Sequence, residues 1–260
     1  MRRGAAHGGG GLARAGQVHR TTPVRRTLAD GREVFVKSGA VSPLFTSEAA
    51  GLRWLGPIAV PVVSADERHI AVEWVEPEPP TAAAAERFGR DLAATHARGA
   101  PAFGADWPGF IGPLPMDNTP APDWPSFYAS QRVLPFVRQA GLDPAPFERA
   151  LNRCHDAPAE PPARIHGDLW NGNVLWSGGR GVLIDAAAHG GHRETDLAML
   201  ALFGAPHLDR ILAAYQEVSP LADGWRDRVP LHQLHPLAVH VVLFGGGYRE
   251  SLISAVTRLL

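Results

Sequence analysis

The stretch HGDLWNGNVLWSGGRGVLID, residues 166–185, holds the densest group of chemically capable side chains in the chain of 260 residues. Asn173 follows Asp168 by five positions, and Asp185 follows Asn173 by twelve. In kinase-type phosphoryl transfer, a loop Asp accepts the hydroxyl proton, whereas an Asn and a second Asp bind Mg²⁺. The apolar runs NVLW and GVLI predict short strands that hold these groups on a rigid hairpin. The stretch therefore predicts Asp168 as a catalytic base and Asn173 and Asp185 as magnesium ligands.

The chain contains one lysine. It is Lys37, in the run REVFVKSGA, and the other 24 of the 25 basic side chains are arginine. Asp30-Gly31 lies between two strand-like runs and predicts a hairpin whose second strand carries Lys37. The next run, TSEAAGLRWLG, predicts a helix that carries Glu48. In kinase-like sites a strand lysine contacts the α- and β-phosphates of ATP and a helix glutamate holds it, so Lys37 and Glu48 are expected to form that pair.

The remaining pattern predicts an α+β fold with two lobes. Residues 1–77 read as a small antiparallel β-sheet with one main helix, and glycines 8–11 are expected to form part of a loop over the phosphates. The prolines at 77–80 mark a hinge. Residues 78–260 read as a larger, mostly helical lobe that includes a proline-rich connection at 101–125. We expect the first lobe to bind ATP, the second to be catalytic and substrate-binding, and the cleft between them to hold the ligands.

Two local features of the smaller lobe bear on the site. The segment IAVEWVEP is expected to join the lobes, with the backbone groups of Glu73, Trp74 and Val75 pairing with adenine. Thr46 or Ser47 is expected to cap the main helix, which would end at Gly56. In the larger lobe, Pro135 is expected to kink a helix.

Composition argues against several classes of partner. The formal net charge is −1, which gives no electrostatic reason to expect nucleic acid or an anionic membrane. No run of 18 or more apolar residues exists, so no membrane span is predicted. The single cysteine, Cys154, cannot form an intrachain disulfide, and the first residues lack the apolar core of a signal peptide. A cytoplasmic protein is expected, with its oligomeric state left open.

The motifs HGDLWNGNVLW and VLIDAAAHGGHRETDLAMLALFG resemble the fructosamine kinase family, also called ketosamine-3-kinases. The runs FVK, FIGPLPMDNTPAPDWPSFY and GYRESLISAVTRLL are similar to that family too, so the resemblance covers nearly the whole chain. It implies the aminoglycoside-phosphotransferase-like branch of the protein-kinase-like fold. It also implies transfer of the γ-phosphate of ATP, with Mg²⁺, to the sugar 3-hydroxyl of a small-molecule ketosamine. The unstable 3-phosphate then releases the amine, which repairs glycation.

The resemblance also implies roles for residues on the acceptor side. Trp170, two residues after the expected base, would pack against the sugar. Asp123, Trp124 and His192 would border the acceptor pocket. Asp196 is expected to brace the loops rather than touch the substrate.

Alternatives from other classes remain open at this point. One is a related kinase for an aminoglycoside, choline or homoserine-like acceptor, and another is an inactive relative that binds nucleotide or a partner. The complete set of kinase-type residues counts against the inactive relative. HGD in place of HRD, and DAA in place of DFG, argue against a protein kinase. His189 and His192 suggest zinc with the two aspartates, but a second closely spaced ligand pair is missing, and His166 is expected to be structural rather than a base.

Overall fold

The structure is a computed structural model and describes residues 24–260. The glycines at 8–11, expected to cover the phosphates, lie outside the described residues, so that expectation stays a prediction. Between residues 24 and 260, no helix combines the length and the apolar character that crossing a membrane requires.

A four-stranded antiparallel sheet forms the centre of the smaller lobe. Its strands lie in the spatial order β1-β2-β4-β3 and span β1 (Val24–Thr27), β2 (Glu33–Ser38), β3 (Val62–Ala65) and β4 (His69–Glu73). The Asp30-Gly31 turn joins β1 to β2, and Gly31 adopts φ 86° there. The predicted hairpin is therefore confirmed, with Lys37 on its second strand.

The helix α1 (Leu44–Leu55) packs against β3 and β4. It begins before Thr46, with Pro43 at the N-cap position, so the predicted caps are wrong. The hydroxyl of Thr46 instead donates to the carbonyl of Pro43 at 2.9 Å, and that of Ser47 donates to the carbonyl of Pro108 at 2.5 Å. A proline presets φ for a helix, which explains the earlier start. The helix ends at Gly56, as predicted.

The helix α2 (Ala82–Ala97) opens the larger lobe. Its N-terminus is capped by Thr81, whose hydroxyl accepts a hydrogen bond from the N–H of Ala84 at 3.1 Å. The helix packs along α7 (Leu208–Val218), and its side chains Phe88 and Leu92 are buried. The connection at 74–81 therefore leads from the sheet directly into the larger lobe.

Three short strand pairs surround the cleft. β8 (Val174–Ser177) and β9 (Arg180–Leu183) form the hairpin that NVLW and GVLI predict. β7 (Ala163–Ile165) pairs with β10 (His189–Gly191), on either side of that hairpin in the chain. β5 (Gly109–Ile111) and β6 (Leu114–Met116) form a hairpin inside the segment 101–125, where the sequence predicted only a connection.

Helices fill the rest of the larger lobe. They are α3 (Trp124–Phe127), α4 (Leu134–Gln139), α5 (Ala145–Leu151), α6 (Arg193–Phe203), α8 (Trp225–His232), α9 (Leu234–Phe244) and α10 (Gly247–Thr257). A π-helical stretch, Tyr128–Val133, leads into α4, and Pro135 stands in the first turn of α4. The regular α-helical pattern is therefore interrupted just before the proline, and the kink that the sequence predicted at Pro135 stays a prediction.

Two clusters of buried apolar side chains form the core. The first contains Phe45 and Leu52 of α1, Phe88 of α2 and Leu183 of β9. The second lies among the helices α3 to α5 and α8 to α10. Because the first cluster crosses from the smaller lobe into the larger one, burial of apolar surface holds the two walls of the cleft against each other.

Candidate active site

Lys37 and Glu48 form the ion pair that the sequence predicts. The ammonium of Lys37 donates to both carboxylate oxygens of Glu48, at 2.6 and 2.7 Å, and to Oδ1 of Asp185 at 2.9 Å. Burial works to lower the pKa of Lys37, but the two carboxylates outweigh it, so the pKa is raised. The ammonium therefore stays charged at neutral pH and joins β2, α1 and the segment after β9.

The loop that carries Asp168 lies between β7 and β8. The amide nitrogen of Asn173 donates to the backbone carbonyl of Asp168 at 2.8 Å and to its Oδ2 at 3.0 Å. These bonds orient the carboxylate and leave the amide oxygen of Asn173 for a cation. Burial raises the pKa of Asp168, although His166 and the Asn173 amide oppose the rise. A raised pKa makes this carboxylate a better proton acceptor.

Asp196, at the start of α6, holds the backbone of this loop. Its Oδ2 accepts from the N–H of His166 at 2.7 Å, and its Oδ1 accepts from the N–H of Gly167 at 3.0 Å. Oδ2 also lies 3.1 Å from Nε2 of His96. Gly167 has φ 79°, and a Cβ there would lie 2.4 Å from the carbonyl oxygen of Ala187, so the loop requires glycine. Asp196 braces the loop, which is the role expected of it.

His166 has the structural role that the sequence predicts. Its Nε2 lies 2.9 Å from the carbonyl oxygen of Ile184, so this nitrogen carries the proton and donates. Its Nδ1 accepts from the N–H of Asp168 at 3.2 Å. Both ring nitrogens are thus engaged by the backbone, and the ring ties the Asp168 loop to the residue before Asp185.

Asp185 adopts a backbone conformation that residues other than glycine seldom use. Its φ is 56°, in the left-handed region, which costs on the order of 1–2 kcal/mol. Such strained residues cluster at functional sites. The carboxylate of Asp185 and the free amide oxygen of Asn173 are hard oxygen donors lining one cavity, and this donor set fits Mg²⁺.

A cavity of about 360 Å³ brings the predicted catalytic residues together. The predicted residues that line it are Lys37, Glu48, Asp168, Trp170, Asn173 and Asp185. The β5–β6 hairpin also lines it, through Phe110 of β5 and the turn residues Gly112 and Pro113. The sequence analysis missed this turn, although a Gly-Pro pair is a turn signal that could have located it. The bond from Ser47 to Pro108 fixes the hairpin to α1.

A second cavity, of about 150 Å³, adjoins the first at Glu48 and Asp185 and reaches the connection between the lobes. Its other lining residues are mostly apolar: Phe35, Val60, Val72, Glu73, Trp74, Val75, Pro77, Leu175 and Ile184. The shape and apolar lining suit a purine base.

The backbone donors of the connecting segment are only partly available for such a base. The N–H of Glu73 donates to the carbonyl of Pro61 at 2.9 Å, and the N–H of Trp74 donates to the carbonyl of Glu33 at 3.0 Å. Of these three predicted residues, Val75 alone has an N–H with no acceptor within residues 24–260. The N–H groups of Glu73 and Trp74 are thus already engaged, and pairing of adenine with the other backbone groups of residues 73–75 stays a prediction.

Trp170 stands at the rim of the larger cavity with 41% of its surface exposed. Its indole folds back over Gly172, where a Cβ would lie 2.3 Å from the ring. The ring also meets Phe203 edge to face, with centroids 6.1 Å apart. Trp170 is thus held beside Asp168 with a free surface, and its contact with a sugar stays a prediction.

Three residues expected at the acceptor pocket lie elsewhere. Asp123 caps α3, accepting from the N–H of Ser126 at 2.8 Å. Trp124 is buried against His192 and His232, with ring centroids 4.7 and 4.8 Å away. Asp123, Trp124 and His192 line a different cavity, of about 390 Å³, which shares no lining residue with the cleft. Their expected role at the acceptor is corrected, because helix capping and ring packing already engage them.

His192 also belongs to a buried group, with Glu194 and His232, whose ligand atoms lie within 4.8 Å of one another. Both carboxylate oxygens of Glu194 accept from Arg228, at 2.6 and 2.9 Å. Nδ1 of His192 accepts from the N–H of Glu194 at 3.3 Å, so its Nε2 carries the proton and has no lone pair for a metal. This group is a structural hydrogen-bond network rather than a zinc site.

Comparison with known proteins gives the relatives of the chain. Residues 11–260 match the model of a family described as fructosamine kinase. A probable ketoamine kinase from Thermus thermophilus is 35% identical over 248 residues, which cover 90% of this chain and 90% of that protein. The crystal structure of a fructosamine-3-kinase candidate from Thermobifida fusca is 53% identical, with a TM-score of 0.89 over 96% of this chain and 93% of that one.

A more distant solved structure shows the fold alone. It is a macrolide 2′-phosphotransferase from Brachybacterium faecium, 16% identical, with a TM-score of 0.54 over 93% of this chain and 89% of that one. The predicted α+β architecture, a protein-kinase-like fold with a small antiparallel sheet and a larger helical part, is confirmed.

Proposed function

The chain belongs to the fructosamine kinase family and is an ATP-dependent phosphotransferase, and we propose that it phosphorylates the sugar 3-hydroxyl of ketosamines, either fructosamines or ribulosamines. One observation carries this proposal. Asp168 lines the same cavity as Lys37 and Asp185, so a proton acceptor and a phosphate-binding cation share one space. An acceptor hydroxyl and the γ-phosphate of ATP could meet there.

In this proposal, the second cavity holds the adenine of ATP and so fixes the direction in which the triphosphate runs. Adenine would lie in the apolar pocket under the connecting segment, beside the N–H of Val75. The triphosphate would then pass Glu48 and Asp185, which line both cavities, and reach the ammonium of Lys37. Lys37 would hold the α- and β-phosphates, leaving the γ-phosphate nearest Asp168.

The residues of the loop supply the chemistry around the acceptor. Asp168 takes the proton of the acceptor hydroxyl as that oxygen bonds to the γ-phosphorus, while the bond from this phosphorus to the β-γ bridging oxygen breaks and ADP leaves. Mg²⁺, held by the oxygen of Asn173 and the carboxylate of Asp185, would neutralise charge on the phosphates. Asn173 keeps the base oriented through its amide nitrogen.

Phosphorylation at C3 would make the acceptor labile, which supports a role in deglycation. Enolisation of the C2 carbonyl toward C1 gives an enaminol that can expel the phosphate from C3. Hydrolysis of the resulting imine then frees the amine that had been glycated. The product of the kinase step would therefore break down without a further active site.

A screen of acceptors tests the proposal. Purified protein with MgATP would be offered fructosyl and ribulosyl amines, with aminoglycosides and choline as comparison compounds, while ADP formation is measured and the phosphorylated position is read by NMR. We expect turnover with ketosamines, phosphate on O3, and release of the amine on standing. Turnover confined to an aminoglycoside or choline would replace the proposed acceptor, and no turnover with any acceptor would reject the function.

A further inference from the structure

A cluster of rings extends from the rim of the cleft across the outside of the larger lobe. It consists of Phe203 at the end of α6, His240 and Phe244 on α9 and Tyr248 on α10, and is called the aromatic shelf here. His240 lies 4.8 Å from Phe203, 5.4 Å from Phe244 and 4.9 Å from Tyr248, measured between ring centroids. The four side chains therefore form one continuous surface.

The shelf leaves a large apolar side chain exposed to solvent. Phe244 is 65% exposed, the largest value among the exposed large apolar side chains of residues 24–260. Phe203, His240 and Tyr248 are half-buried beneath it. Exposed aromatic clusters of this kind mark ligand or protein contacts more often than isolated exposed side chains do.

The shelf is continuous with the catalytic cavity through Trp170. This residue lines the cavity with Asp168, and its ring meets Phe203 edge to face. The turn of the β5–β6 hairpin also approaches α9. A Cβ on Gly112 would lie 3.9 Å from the side chain of Leu243, which precedes Phe244 in the chain. Trp170 and the hairpin turn both line the cavity, and each lies against a residue of the shelf or its neighbour in the chain.

We place the acceptor beside Trp170 and the hairpin turn because the other part of the cavity is assigned to ATP. The opposite side is occupied by the ion pairs of Lys37 and continues into the apolar pocket through Glu48 and Asp185. That side is needed for ATP. With its hydroxyl at Asp168, the acceptor would extend past Trp170, which lines the same cavity and contacts the shelf through Phe203.

We propose that the aromatic shelf is the subsite for the amine portion of the acceptor, and that it selects ketosamines of amines with an aromatic or large apolar substituent. This inference rests on the proposed function. Aromatic substituents would pack against Phe244 and Tyr248. The secondary amine of a ketosamine is cationic at neutral pH, and such a cation is attracted to an aromatic face such as that of Trp170.

Two substrates that differ only in the amine side chain test the subsite: fructosyl-phenylalanine and fructosyl-glycine. The wild type, Phe244→Ala and Tyr248→Ala would be compared by the ratio of kcat/KM for the two. We expect the wild type to favour fructosyl-phenylalanine, and each variant to lower that preference by about fivefold to tenfold, mainly through KM. Ile253→Ala is the matched control, because Ile253 lies on α10 with 43% exposure and outside the shelf.

The possible results distinguish an error in the subsite from an error in the proposed function. If the wild type phosphorylates both substrates but the ratio in Phe244→Ala and Tyr248→Ala equals that in Ile253→Ala, the subsite is wrong and the kinase function stands. If the wild type phosphorylates neither these nor any other ketosamine, the function fails and the subsite with it. Light scattering adds a third outcome: a dimer that Phe244→Ala dissociates, without a change in the ratio, would make the shelf an interface between copies.

Discussion

Nζ of Lys37 lies 2.9 Å from Oδ1 of Asp185, although the two residues are 148 positions apart in the chain. Lys37 belongs to β2 of the smaller lobe, and Asp185 follows β9 of the larger lobe. Glu48 holds the same ammonium from α1. Three separate elements must therefore be in register for this group of ion pairs to form.

The first prediction concerns the identity of the cation. Lys37→Arg keeps the charge, but the longer planar guanidinium cannot occupy the position where Nζ meets Glu48 and Asp185 together. We expect the variant to fold normally and to lose turnover by roughly tenfold or more, about 1.4 kcal/mol of transition-state stabilisation. Turnover on a ketosamine and thermal unfolding would be measured on the same sample.

Arg32→Lys is the control for this exchange. Arg32 is exposed and directly precedes β2, so its replacement is expected to change stability by no more than about 0.5 kcal/mol. Equal turnover in Lys37→Arg and the wild type would show that the single lysine is an accident of composition.

The second prediction separates the two magnesium ligands. Asp185→Ala removes a charge that would face the metal and also pairs with Lys37, whereas Asn173→Ala removes a dipole. We expect MgATP affinity to fall by roughly a hundredfold in Asp185→Ala and roughly tenfold in Asn173→Ala, which correspond to about 2.8 and 1.4 kcal/mol. Calorimetric titration of MgATP would measure both. Small and equal losses would contradict the assignment of these ligands.

The third prediction concerns Asp196. The side chain of Asp196→Asn has one oxygen for the two N–H groups of His166 and Gly167. Its NH2 group therefore faces the other buried N–H, and these two donors cannot bond to each other. We expect a loss of about 3 kcal/mol in the free energy of unfolding, together with lower kcat. Urea denaturation and turnover would be measured beside Asp106→Asn, an exposed aspartate expected to be neutral. A stable variant with normal kcat would show that the loop does not need this brace.

The sequence predicted which side chains of the candidate site come together, because their spacing is local. Asp168, Asn173 and Asp185 fall within one stretch of loop and hairpin, and the Lys37–Glu48 pair needs only a strand followed by a helix. The β5–β6 hairpin was missed because its three-residue strands are too short to show alternation.

The acceptor side depends on how distant helices pack, and no local pattern predicts that arrangement. Trp124 was placed there, yet it is buried in the larger lobe, where it stacks on His232 and contacts the tilted ring of His192. Phe203 and Tyr248, in contrast, come from α6 and α10 and meet at the rim only in the folded chain. The approach of Phe203 to Trp170 depends on tertiary packing, which spacing along the chain does not encode.

The fourth prediction concerns pH. Asp168 must be ionised to accept a proton, so kcat/KM is expected to fall as the pH drops through its pKa, by tenfold per pH unit. Because burial raises this pKa, the fall should begin above about pH 4, the value of an exposed aspartate. Turnover would be followed across the acid range, with circular dichroism confirming the fold at each pH. A rate that stays level down to pH 4 would contradict the raised pKa.

The most direct test of the account is the Asp168→Asn variant, measured for both binding and chemistry. The asparagine has nearly the same shape but cannot take a proton, and Asp168 is not among the groups assigned to hold ATP. We predict that the affinity for MgATP stays within about threefold of the wild type, while single-turnover phosphorylation of a ketosamine falls by about 10²–10⁴-fold, the usual contribution of a general base. Near-normal phosphorylation in this variant would contradict the assignment of Asp168 as the base and the mechanism built on it.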